Sequence, residues 1–218
     1  MRRAHGRVAC RAAALALAVA GGCTPRAAAL VGAVAAPTHI PAARLAPGAQ
    51  HVVFRWEYRD PDMFATGEGA ARIVSPDSVR IDLFLDRGMG SGYAIVIGDS
   101  AWSPAGEQLH RFLPPVSMLW GALGRLAVAP GDTTVRVDGD TTRADIARGA
   151  SVMRVAFTGD RLTTIEHIEG GGIRERVTRG DGALETIHYD QFGAHRSLTL
   201  TVTRRQPAAG FDAKIWQR

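Results

Sequence analysis

"ARIVSPDSVRIDLFLDRG", residues 71–88, is the stretch on which the fold turns. It reads as two strands meeting at Pro76. In the second, Val79, Ile81, Leu83 and Leu85 point one way, while Arg80, Asp82 and Asp86 point the other. Alternation at period two marks a sheet with one dry and one wet face. Asp77 and Ser78 follow Pro76 and set the turn, because short polar side chains bond back to the backbone there. The dry face lies against the chain's own core or against a removable ligand.

More strands flank this pair. HVVFRWEY (51–58) sets Phe54, Trp56 and Tyr58 against Val53, Arg55 and Glu57, and GEGAARIV (67–74) follows a loop with Pro61. GYAIVIG (92–98) is apolar on both faces, as a doubly covered strand is. RGMGSG (87–92) has the glycines of a phosphate loop. Such a loop needs a helix directly after it to aim N–H groups at the anion, and here a strand follows, so the glycines serve a hairpin turn. Further on, TTVRVDG (133–139) alternates, and the polar DTTRADIARG (140–149) reads as a loop or one helical turn. SVMRVAFTGDRLTTIEHI (151–168) reads as two strands around Gly159-Asp160. IRERVT (173–178), LETIHYDQFG (184–193) and SLTLTVT (197–203) follow, and FDAKIWQR (211–218) closes as a last strand or turn through Phe211, Ile215 and Trp216. The total is roughly ten strands.

One segment breaks the pattern. In LPPVSMLWGALGRLA (113–127), Pro114 and Pro115 suit a helix start, and Val116, Leu119, Trp120, Leu123 and Leu126 recur at helical spacing as one apolar stripe. Gly121 and Gly124 each reduce helix propensity by about 1 kcal/mol relative to alanine, so this helix depends on what its stripe touches. Sequential antiparallel strands with one apolar face curl into a barrel, a half-barrel or a sandwich. A single striped helix between two blocks of strands can cover the open side of one curved sheet.

The N-terminal residues are read apart from the fold. MRRAHGRVACR carries four arginines and no acid, and the eleven-residue apolar run AAALALAVAGG leads to Cys23. A basic head, a short apolar stretch and small residues at the exit describe a secretory signal over residues 1–22, too short to span a bilayer. Ala20, Gly21 and Gly22 before Cys23 resemble the bacterial lipoprotein signal, in which the cysteine becomes the acylated first residue. Cys10 lies in the head and no other cysteine exists, so the mature chain has no intramolecular disulfide. Removing residues 1–22 leaves 22 basic against 21 acidic residues. That balance lacks the basic surplus nucleic-acid binding needs. Residues 24–50 are rich in alanine and carry four prolines, which disfavour one continuous helix. With Cys23 they read as a tether, within which RAAALVGAVAA can form a short helix, and residues 51–218 form the folded domain.

Catalytic signatures are scarce. The folded part has no HExxH, no cysteine nucleophile and no GxSxG elbow. His167 lies near Glu166 and Glu169, but on a strand His167 and Glu166 project to opposite faces and cannot share an ion. His188 and Asp190 share a face, and two ligands do not close a zinc site. The expectation is a protein that is not an enzyme and holds no metal and no cofactor.

The stretches GEGAARIVSPDSVRIDLFL, LPPVSMLWGALG and RLTTIEHIEGG…LETIHYDQFGAHRSLTLTV together resemble the LolA/LolB superfamily of bacterial envelope proteins. The resemblance rests on Arg72, Ile73 and Pro76 leading into Val79, Arg80 and Ile81, on Leu162 and Ile165 before a hairpin, and on Tyr189 before the last long strand. It spans about residues 51–203, and Cys23 brings the chain nearer the anchored LolB type. It implies a mainly β fold, an unclosed antiparallel half-barrel with a helical lid, whose cavity takes acyl chains of lipoproteins or lipids. It also implies an outer-membrane, periplasm-facing, lipid-anchored location and a periplasmic carrier protein as partner. The expected cavity residues are Trp56, Tyr58, Ile73, Ile81, Leu83, Ile95, Leu119, Trp120 and Leu123. The LolB type also carries an exposed apolar residue in a protruding loop, for which Met63-Phe64 and Met89 are the candidates. The helix that precedes the first strand in the family is replaced here by the Ala/Pro segment. The alternative is a structural or assembly lipoprotein that binds an envelope protein through its sheet and has no lipid cavity.

Membrane fractions of the native host should contain the chain beginning at an acylated Cys23, and Cys23→Ser should lose both the acyl mass and the membrane association. An N-terminal peptide showing Cys23 unmodified overturns the anchor.

Overall fold

The computed structural model describes residues 24–88, 90–106, 112–180, 182 and 184–217. Among them thirteen strands form one antiparallel sheet. In chain order they are β1 (Ala33–Ala35), β2 (Ala49–Arg59), β3 (Phe64–Val74), β4 (Ser78–Leu85), β5 (Ser91–Ile97) and β6 (Ser100–Trp102), then β7 (Asp132–Asp138), β8 (Thr141–Arg148), β9 (Ser151–Thr158), β10 (Arg161–Glu169), β11 (Gly172–Arg179), β12 (Thr186–Gln191) and β13 (Arg196–Ala208). The spatial order is β1-β7-β8-β9-β10-β11-β12-β13-β2-β3-β4-β5-β6. The outermost strands, β1 and β6, do not pair, so the sheet is unclosed.

Two meanders, β2–β6 and β7–β13, are joined where the last strand pairs with the first long one. Leu198, Leu200 and Val202 of β13 stand opposite Tyr58, Trp56 and Phe54 of β2. The chain therefore leaves β6 at one edge and enters β7 beside the other edge. Between them, among the described residues, α1 (Val116–Ala122) lies over the apolar face. The dry faces of the strands and α1 share one core, in which Val79, Val96, Trp120, Val155 and Phe157 are fully buried.

The opposite face is wet, as the alternation in 79–86 predicts. Asp82 accepts from both Arg72 and Arg80, Arg154 grips Asp145 at 2.7 Å, and Arg176 grips Glu166 at 2.7 Å. A C-terminal 3-10 turn (Ala213–Trp216) lies against this face, tied by Arg80 Nη1 to the Ile215 carbonyl at 3.1 Å.

The sheet has three strands more than expected. β1 and β6 are three-residue edge strands, too short for a period to register. β8 corrects the loop reading of 140–149. Thr142, Ala144 and Ile146 do alternate inward there, but two of the three are small or polar, so the pattern is faint. Residues 24–50 also depart from the expected tether. Arg26 bridges Gly172, β1 pairs with β7, Leu45 is buried, and Ala43 accepts from the Leu126 amide at 3.0 Å. β1 stands within the segment read as a short helix, because its small residues find ladder partners at the sheet edge. Cys23 lies outside the described residues.

α1 is seven residues long and ends before Gly124. Gly124, at φ +88°, closes it: its amide bonds to the Gly121 carbonyl and the Arg125 amide to the Trp120 carbonyl. That is the glycine-dependent C-terminal motif of helices. Gly121 has a different task. A Cβ there would lie 2.6 Å from Ile165 Cγ2, so only glycine lets α1 lie this close to β10. Met118, Leu119, Trp120, Gly121 and Ala122 are all buried, which makes α1 a plug in the curved sheet as much as a cover. No helix among the described residues is long and apolar enough to cross a membrane.

Candidate functional site

Beneath α1 the sheet keeps a hollow of about 40 Å³. Phe54, Ile81 and Val202 wall it from the sheet, Leu119 and Leu123 from the helix side, and Leu113 and Pro114 from the strap before α1. A second apolar space of about 100 Å³ lies on the other side of the same strap, against Ala94, Val96 and Ala101. Leu113, Pro114 and Leu119 line both, so one short segment divides them. A water needs about 10–15 Å³ of such space, so the first hollow holds about three water-sized groups.

Alternate positions of each strand bring the wall residues together, and they divide the nine expected cavity residues. Ile81, Leu83, Leu119 and Leu123 line the hollow. Trp56, Tyr58 and Trp120 belong to the surrounding core: Trp56 Nε1 donates to the Glu68 carbonyl at 2.9 Å and Trp120 Nε1 to the Gly98 carbonyl at 2.8 Å. Ile73 lines a neighbouring basin. Ile95 corrects the parity expected for β5. It stands opposite Arg80 and Trp102 on the outer face, buried there, while Ala94 and Val96 face inward. An apolar run on both faces gave no parity to read, and one step in register exchanges the faces.

Val52, Phe54, Tyr189, Leu198, Leu200 and Val202 line the hollow without having been expected there. For all but Tyr189, which shares a face with Ile187 in 184–193, the signal was present in the alternations of 51–58 and 197–203; what was missing was the β13–β2 pairing that sets these faces side by side.

One charged residue lines the hollow among the described residues, Arg205. It also lines a basin of about 590 Å³ at the same end, with Arg44, Arg161, Arg179, Asp160 and Glu185. Glu185 is held from both sides, by Arg179 Nη2 at 2.6 Å and Arg205 Nη2 at 2.7 Å. Burial pushes its carboxyl up, but the hydrogen bonds from Arg179 and Arg205 outweigh it and leave the group below its ordinary value of 4.5. Arg205 Nη1 reaches Gln50 Oε1 at 3.1 Å.

Elsewhere, Ser151 Oγ and His167 Nε2 are 3.0 Å apart, His167 Nδ1 lies 3.3 Å from Glu175, and the Tyr189 hydroxyl donates to Glu175 at 2.8 Å. This string satisfies a buried carboxylate. Burial, then the adjacent Glu175 carboxylate, pushes the Tyr189 hydroxyl far up, so it stays a donor at any ordinary pH. Glu166 takes the opposite face from His167, with Arg176. His188 Nε2 lies 3.0 Å from Asp190. Among the described residues no three His, Cys, Asp or Glu side chains cluster as metal ligands.

Two solved structures share this architecture. A LolA superfamily protein from Nitrosomonas europaea matches with TM-score 0.51 at 12% identity, over 80% of this chain and 92% of that one. A domain from Vibrio parahaemolyticus, described as an outer membrane lipoprotein-sorting protein, matches with TM-score 0.53 at 9% identity, over 78% and 89%. The fold is LolA/LolB-like. No family model matches the sequence, and no curated protein matches it. The half-barrel and the helix across its open side are therefore recognisable in space at identities where sequence similarity has faded.

Glu185→Gln should destabilise the LolA/LolB-like domain by about 1–3 kcal/mol at neutral pH by leaving two arginines short of a carboxylate. Because the carboxyl is depressed in the folded state, its contribution is full above the unfolded value near 4.5 and fades as pH falls below it. Urea unfolding of both proteins at pH 7 and at pH 3 measures this: the gap should be present at the first and shrink at the second.

Proposed function

We propose that this chain is a non-enzymatic outer-membrane lipoprotein, anchored through Cys23 and facing the periplasm, that takes acyl chains between its curved sheet and α1 in lipoprotein or lipid transport. The observation that supports it best is the divided apolar hollow on the inner face of an unclosed sheet. An acyl chain exceeds the room for three water-sized groups, so uptake moves the strap and α1 outward and merges the two spaces. Each methylene removed from water contributes about 0.8 kcal/mol, so about ten contribute about 8 kcal/mol. Moving α1 outward uncovers Met118, Leu119 and Trp120 together, at about 1.5–3 kcal/mol or more each, so the exchange favours a long acyl chain over a short one.

Met63 and Phe64, exposed where the chain turns from β2 into β3, are the residues this reading assigns to membrane contact; Met89, the other candidate, lies outside the described residues. A soluble periplasmic carrier is the expected partner in handing acyl chains over. The small size of the closed hollow also suits the alternative, a fully packed assembly lipoprotein that binds an envelope protein through its sheet, and acyl binding separates the two.

Titration with a fluorescent acyl probe should show saturable binding, and Leu123→Asp should weaken it at least about tenfold, since a carboxylate in the hollow costs more than the 1.4 kcal/mol that tenfold represents. Leu123 is only half-buried, so the variant should stay folded. Unchanged probe binding by folded Leu123→Asp contradicts the acyl-binding reading.

A further inference from the structure

We infer that the acyl ligand carries an anionic head, a carboxylate or a phosphate, that docks in the arginine basin beside the hollow, where Arg205 lines both. This rests on the acyl-binding reading and names the ligand class for the same site. The hollow itself is apolar except at Arg205, whose guanidinium is shared between hollow and basin. A chain lying along Phe54, Ile81 and Leu123 therefore has one polar exit, and that exit is cationic.

Among the described residues the basin holds four arginines and two acids, and of the four Arg161 is already engaged, donating to the Gly180 and Arg179 carbonyls. Glu185 is divided between Arg179 and Arg205, so one carboxylate answers two guanidinium groups. The Arg179 Nε is buried and donates to no described acceptor, although its Nη1 reaches the Leu162 carbonyl at 3.1 Å. A buried donor of this kind is costly unless an acceptor arrives. Arg44 lines the basin from the segment before β2, is exposed, and pairs with no described residue. Planar guanidinium groups match the two oxygens of a carboxylate or phosphate. Ile73 and Leu162 also line the basin, which gives the head group's first methylenes an apolar wall.

The test uses the mature full chain made soluble by Cys23→Ser, with a long-chain fatty acid carrying a fluorophore on its tail and the methyl ester of the same molecule. The acid should bind about tenfold more tightly than the ester. Arg44→Glu, an exposed change that leaves the core untouched, should weaken the acid several-fold and leave the ester unchanged, and Arg205→Gln should remove most of the preference. Millimolar inorganic phosphate should not displace the acid. Equal binding of acid and ester by the unaltered chain overturns the anionic head while leaving acyl binding intact. Absence of binding by both overturns acyl binding itself. Displacement by phosphate alone assigns the basin to free anions and overturns the lipid-head inference.

Discussion

The pairing of β13 with β2 is the constraint from which the rest follows. It places the last long strand beside the first, in the middle of the sheet, and so pushes β6 and β7 toward opposite edges. The connection between them crosses the inner face: among the described residues, α1 with its Leu113–Pro115 strap lies over the apolar side of the sheet. Cover and hollow are thus products of one topological fact. Register in this pair does the remaining work, because Tyr58, Trp56 and Phe54 meet Leu198, Leu200 and Val202 on the same face.

Two glycines then decide how tightly the cover sits. Gly121 lets the helix backbone approach Ile165, and Gly124 turns the chain sharply after two helical turns. A seven-residue helix has little stability of its own, so its order comes from burial and from the Trp120 bond to the Gly98 carbonyl. Such a segment is held by what it touches. In the proposed reading a hydrocarbon chain offering equivalent contacts replaces it and leaves intact the sheet, whose ladders do not run through it. The N-terminal segment adds a restraint on the far side of the helix, where Ala43 accepts from Leu126.

The strand pattern was legible wherever one face was strongly apolar and the other charged, as in 51–58, 79–85 and 197–203. It was illegible where buried positions were small or polar, as in Thr142 and Ala144 of β8, and where both faces were apolar, as around Ile95. The helix was legible from its stripe, but its length was not, because Gly124 reads as a weak helical residue until its positive φ shows it to be a terminator. For the candidate site, Ile81, Leu83, Leu119 and Leu123 could be read from parity and spacing. The wall contributed by β12 and β13 depended on long-range pairing that no local pattern encodes. Residues 24–50 were misread for a related reason: alanine and proline look like a tether until an edge strand offers them backbone partners.

The central claim is that α1 yields its place to an acyl chain. Nitroxide labels at Ser117 on α1 and Arg55 on the outer side of β2 report it through their pulsed-EPR distance distribution. The account predicts a single short distance in the lipid-free chain and a longer population that grows in step with bound fatty acid. A distribution that stays unchanged while the fatty acid is demonstrably bound would contradict it.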